Sequence, residues 1–201
     1  LNVPLVKGQV VDSSRIERII PTINYLIKQK AKIIIISHFG RPKGKFVLEM
    51  SLAPILDSLN KFLPENNQAK FCSDCIGERA EEAVNNLQPG EVLLLENLRF
   101  YAGEEKNDAD FTDALAGLAD IYINDTFSCS HRAHASIAAI AKRLPSGIGK
   151  LFAEEINYLE KYLNRPKTPI AAIIGGSKVS TKLDLLYSLV KKVNLLIEKP
   201  L

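Results

Sequence analysis

Two runs with no polar side constrain this chain most: Ile33 to Ile36 and Val92 to Leu95. Successive residues of a strand face opposite ways, so a strand apolar at every position must be covered on both faces. Such strands belong in parallel sheets. Around them, short β-branched runs alternate with helical patterns: Lys32 to Ser37, Leu52 to Leu63, Ala69 to Cys72, Arg79 to Leu87, Val92 to Leu95, Phe111 to Leu118, and Ile121 to Ile123. That rhythm predicts βαβ units in an α/β fold, a parallel sheet with helices on both faces.

A content of 46% hydrophobic residues over 201 positions supplies the core for this Rossmann-like three-layer arrangement. Ser14, three residues ahead of Glu17 and just before Ile16, Ile19 and Ile20, reads as a capping box for a helix running to about Lys30, kinked at Pro21. After about Ile148 the pattern becomes one amphipathic stretch, Leu151 to Leu163, stopped by the Asn-Arg-Pro-Lys-Thr-Pro segment at 164–169. A strand from Ile170 to Ile174, Gly175-Gly176 and a helical stretch from Lys178 to Lys192 follow. The expected organisation is a first domain over 1–150, a connecting helix over 151–166, and the first βα unit of a second α/β domain over 167–201.

In open parallel sheets ligands bind beyond the carboxyl ends of the strands. Here those positions are rich in Arg, His, Asn and Gly. Ser37-His38-Phe39-Gly40-Arg41-Pro42 follows one strand and suits a carboxylate or phosphate, because Arg holds either through two hydrogen bonds; an ordinary turn with a solvated Arg is the other reading. Leu94 to Phe100 ends the next, with Arg99 free for a ligand or paired with Glu96, Glu104 or Glu105. The segment from Asn124 to His134 is the third; His131 and His134 flank Arg132, but no carboxylate or cysteine completes a metal set at that spacing. Gly175-Gly176-Ser177-Lys178-Val179 stands between a strand and a helix, where backbone N–H groups favour phosphate, although a plain strand-to-helix turn also wants glycine. It is not a Walker A loop, since Ser177 precedes Lys178.

The balance of 26 basic and 23 acidic residues, net +3, argues against a general nucleic-acid binder, and the arginines lie at separate strand ends instead of in a stripe. Three cysteines give no disulfide framework, and Cys72-x-x-Cys75 lacks a second ligand pair. A reducing, cytoplasmic setting is the expectation. No apolar run approaches the roughly 18 residues of a membrane span, and no signal-peptide pattern is read. Both ends, Leu1 and Leu201, read as cuts in a longer chain.

Taken together, Asn2-Val3-Pro4, Ser37 to Pro42, Leu94 to Phe100, Gly103-Glu104-Glu105-Lys106-Asn107, His131 to Ser136 and Gly175 to Val179 resemble, in order, the motifs of the phosphoglycerate kinase family. The resemblance runs over essentially the whole chain. It implies a two-domain kinase that transfers a phosphoryl group between 1,3-bisphosphoglycerate and ADP in glycolysis, giving 3-phosphoglycerate and ATP. It further implies that Asn2, Arg15, His38, Phe39, Gly40, Arg41, Arg99 and Arg132 hold the acid substrate. Lys178, Lys182 and Gly176 would face the transferred and nucleotide phosphates, with Arg15 and Lys178 catalytic. Magnesium would arrive on the nucleotide, its ligand residues outside this chain, and the enzyme would be a monomer with no membrane or nucleic-acid partner. Such chemistry needs positioning and positive charge more than a nucleophile.

The sequence departs from the family in three places. Most of the first strand, with an Arg-x-Asp pair, and the glycine-rich nucleotide loops are missing, and Ser128-Cys129-Ser130 replaces the commoner Gly-Thr-Ala. A competing expectation is that the chain by itself binds phosphoglycerate without catalysis.

Overall fold

A computed structural model of the chain describes residues 1–164, 167–175 and 183–199. They fall into two compact units, Leu1–Ala153 and Glu154–Leu201.

The first unit opens with a hairpin of β1 (Leu5–Val6) and β2 (Gln9–Val10), whose turn residues Lys7 and Gly8 have φ of 50° and 74°. Two positive φ values match the twist of the flanking strands. Lysine is a poor advertisement for a left-handed position, and the sequence expectations contain no such hairpin. In α1 (Ser14–Lys28) the cap sits one residue earlier than the Ser14–Glu17 spacing suggests. The Ser13 carbonyl accepts from Ile16 N (2.8 Å) and Glu17 N (3.0 Å), and its hydroxyl donates to Glu17 Oε1 (2.5 Å). Ser14 N instead donates to Asp12 Oδ1 at 2.9 Å. The helix continues through Pro21 and stops at Lys28, short of the expected Lys30. Lys30 turns left-handed (φ 58°), and Lys30 N and Ala31 N donate back to the carbonyls of Ile27 (2.8 Å) and Leu26 (3.1 Å). That pair of bonds ends a helix by satisfying its last carbonyls.

β3 (Ile33–Ile35), β4 (Ala69–Cys72) and β5 (Val92–Leu95) make a parallel sheet with β5 central. Ile33 pairs with Val92, and Cys72 with Leu95. Every β5 side chain is at most 2% exposed. Val92 and Leu94 join Ile16, Ile23, Leu52 and Leu59 on one side, whereas Leu93 and Leu95 join Leu87, Phe111 and Leu115 on the other. Burial of each such side chain stabilises by roughly 1.5–3 kcal/mol. The two-faced cover read from the apolar runs is therefore present.

The expected helix over Leu52 to Leu63 is broken into short turns, Leu48–Met50 and Ala53–Ile55, before α2 (Leu56–Asn60). Pro54 has no N–H to give and suits only the start of a helix. Then come α3 (Glu78–Asn85), α4 (Ala102–Lys106) and α5 (Ala109–Ala116), with β6 (Tyr122–Asn124) parallel to β7 (Ser146–Ile148). α6 (Lys150–Leu159) is capped from afar, Lys150 N by Thr22 Oγ1 at 2.9 Å and Phe152 N by Asp125 Oδ1 at 3.1 Å.

In the second unit β8 (Ala171–Gly175) pairs in parallel with β9 (Leu195–Lys199), and α7 (Leu183–Val190) lies between them in sequence. Gly176, Ser177, Lys178 and Lys182 lie outside the described residues.

Candidate functional site

β3, β5 and β6 each run out into one of the three polar segments, and a single side chain ties the first two. Asn97 is 0% exposed. Its Oδ1 accepts from Phe39 N (3.0 Å) and Arg99 N (3.1 Å), and its Nδ2 donates to the carbonyls of Phe39 (2.8 Å) and Met50 (2.9 Å). Leu98 N adds a bond to the Ser37 carbonyl at 3.1 Å. The loop after β3 is thus fixed before any ligand arrives.

Gly40 is the turning point of that loop. Its φ is 60°, and a Cβ there would lie 2.8 Å from Met50 Sδ. Its N–H donates to Asn2 Oδ1 at 3.2 Å and its carbonyl accepts from Arg99 Nη1 at 2.8 Å. Gly40→Ala is expected to cost about 1–2 kcal/mol through the left-handed backbone and the Met50 clash. Urea denaturation reads this directly, and an unchanged midpoint would show that the loop yields freely.

Arg15, on the first turn of α1, donates through Nη1 to the Asn2 carbonyl, which joins the helix start to the same network. Arg99 is only 5% exposed. Besides Gly40 it has Glu105 Oε1 at 3.1 Å from Nε, so the reading in which it pairs within its own loop holds for Glu105. It fails for Glu96, whose carboxylate accepts from Ser51 Oγ (2.6 Å), Leu52 N (2.8 Å) and Asn97 N (2.8 Å). Pairing with Glu105 leaves donors unspent, since a guanidinium carries five N–H groups.

His38 follows β3 and sits amid positive charge. Burial first, then Arg99, the Leu1 amino group and Arg132, depress it to about 3. It is neutral at pH 7, a donor at one ring nitrogen and an acceptor at the other. The unfolded chain takes up this proton near pH 6.5 and the folded chain only near 3, so stability falls as pH drops through that window. Crowded positive charge of this kind is what an incoming anion relieves.

The structure therefore brings Asn2, Arg15, Phe39, Gly40 and Arg99 into one hydrogen-bond network, with His38 and Arg132 electrostatically coupled to Arg99. Arg41 is exposed and enters none of these bonds. The sequence reading missed Asn97 as the tie. His131 is exposed, and among the described residues no group of three or more His, Cys, Asp or Glu is placed to hold a metal ion. Cys72 and Cys75 are buried free thiols, and burial pushes the Cys75 thiol far above its ordinary range, away from reactivity. No described helix is long and apolar enough to cross a membrane.

The family model for phosphoglycerate kinase matches residues 1–198. A curated phosphoglycerate kinase of Rhizobium meliloti (strain 1021) is 52% identical over 197 residues, 98% of this chain and 49% of that protein. One of Cereibacter sphaeroides (strain ATCC 17025 / ATH 2.4.3) is 51% identical over 197 residues, with the same shares. Among solved structures, the phosphoglycerate kinase of Coxiella burnetii has a TM-score of 0.83 at 39% identity, covering 98% of this chain and 49% of that one. That of Pyrococcus horikoshii OT3 has a TM-score of 0.89 at 28% identity, with 100% of this chain and 51% of that one covered. The chain spans about half the length of the curated relatives it matches.

Proposed function

Because the chain belongs to the phosphoglycerate kinase family, we propose that its first unit holds the acid substrate of an enzyme moving a phosphoryl group between 1,3-bisphosphoglycerate and ADP. The observation that carries this is the convergence of Arg99, Arg132 and neutral His38 at the strand ends, joined through Gly40 and Asn2 to Arg15. A phosphate and a carboxylate on a three-carbon acid need such a set of separate donors, held in place beforehand. Arg99 and Arg132 supply charge, His38 a neutral donor, and the Phe39-Gly40 turn the backbone that brings Arg41 to the same loop. Arg15 stands nearest the helix start and would meet the phosphoryl group in flight. Lys178, Lys182 and Gly176 would face the nucleotide. Magnesium would be carried by ADP or ATP. A cytoplasmic monomer acting in glycolysis is the setting proposed, with no nucleic-acid or membrane partner.

The chain is expected to bind 3-phosphoglycerate weakly and with marked salt dependence, because the exposed charges of Arg15 and Arg41 are screened over about 10 Å at 0.1 M salt. Isothermal titration at low and high ionic strength tests this in a sample verified as folded. No heat at low salt, or an affinity indifferent to salt, would remove the arginine cluster as the site. In a coupled assay the same sample is expected to fall below the ordinary enzyme range of about 1–1,000 turnovers per second.

A further inference from the structure

Two consecutive carboxylates on α4 do opposite things. Glu105 is half-exposed and pairs with Arg99 Nε at 3.1 Å. Glu104 is 1% exposed and turns inward to the segment after β6: its Oε2 accepts from Ser136 N at 3.0 Å, its Oε1 accepts from Ser136 Oγ at 2.6 Å, and His134 Nδ1 lies 3.5 Å from Oε1. An ionised carboxylate removed from water is costly unless its lone pairs are filled, and an apolar residue would pack that place more cheaply. Core packing gives no reason for it.

Its partners give one. His134 and Ser136 belong to the segment that carries Arg132, and successive helix residues point about 100° apart. A single turn of helix therefore grips Arg99 with one side chain and the Arg132 segment with the next. α4 packs tightly on α5: a Cβ at Gly103 would stand 2.7 Å from Phe111 Cβ. We infer that Glu104 is a positioning residue, which sets the spacing between Arg99 and Arg132 and so the fit to an anionic substrate. It touches no substrate, and the inference rests on the phosphoglycerate reading above for the identity of that anion.

The test is Glu104→Gln in the full chain, isosteric but one acceptor short, with Ser136→Ala as a milder partner that leaves the carboxylate intact. Glu104→Gln is expected to speed amide hydrogen exchange over 131–138 and to weaken 3-phosphoglycerate binding by about tenfold. Ser136→Ala is expected to do the same to a smaller degree. In an Arg132→Ala background Glu104→Gln is expected to change affinity by less than about twofold, since the side chain it positions is gone. A purely structural role would add its full cost there, and that additivity would overturn the inference, as would unchanged exchange over 131–138 in both variants. If exchange quickens but the parent chain binds no 3-phosphoglycerate, the tie between Glu104 and the segment stands and the phosphoglycerate reading falls.

Discussion

Alanine at position 97 is expected to destabilise the first unit by about 3–5 kcal/mol, a loss far beyond that of an ordinary surface change. Asn97 is fully buried and makes four hydrogen bonds, all to backbone groups. Deleting its amide strands two donors and two acceptors from different loops, and buried groups left unpaired cost about 1–3 kcal/mol each, partly relieved by entering water. The same change releases the Gly40 turn, so binding of 3-phosphoglycerate is expected to vanish even where the chain stays folded. Asn97→Asp is the informative companion: it keeps an acceptor for Phe39 N and Arg99 N but sets a carboxylate oxygen against the carbonyls of Phe39 and Met50, so it is expected to cost at least as much as alanine. Equilibrium urea denaturation of the three proteins reads the effect, and a loss under about 1 kcal/mol for alanine would mean that water replaces the amide at little cost.

Arg15→Ala, in the complete enzyme, is expected to lower kcat by about 10²–10³-fold while KM for phosphoglycerate moves far less. A cation in the first turn of α1 opposes the helix dipole, which favours negative charge there by about 0.3–1 kcal/mol, so stability does not explain it. Arg15 is exposed, and its guanidinium is steadied against the Asn2 carbonyl. The helix end contributes less to an anion than its position suggests, because the N–H groups of Ser14, Ile16 and Glu17 are already spent on Asp12 and Ser13. The charge stabilisation must come chiefly from the side chain. Steady-state kinetics of that single variant decides it: a raised KM with kcat intact would make Arg15 a ground-state binder.

The βα rhythm and the polar loops at the strand ends were legible because each leaves a local mark. All-apolar runs announce buried strands, and the polar residues directly after them, as at His38, Arg99 and Arg132, are where the proposed ligand edge is read. The ties between those loops leave no such mark. Asn97 reaches Phe39 across 58 positions and Met50 across 47, and its partners are backbone atoms that every residue possesses. Glu104 and Glu105 read alike as candidate partners of Arg99, and only the fold reveals that Glu104 is buried against Ser136 instead. Adjacent serines at 13 and 14 offer the same chemistry at the cap, and the sequence does not choose between them. Pro54 was visible, but its effect depends on whether the helix has already begun.

The central strand β5 has a further consequence. Because Val92, Leu93, Leu94 and Leu95 are all apolar, sliding β5 by one residue would exchange its two faces with no change of polarity among these four, and only Glu91 or Glu96 entering a buried slot would oppose it. Its ends must therefore fix its alignment. Before the strand, Ile33 N donates to the Glu91 carbonyl and Gly90 N to that of Ala31; after it, Glu96 N donates to Asp74, and Glu96 and Asn97 clamp Ser51, Leu52 and Phe39. The polar residues behind the proposed site thereby also hold the sheet in frame, and a variant that damages them is expected to misalign the strand during folding as well as to disturb the loops after it.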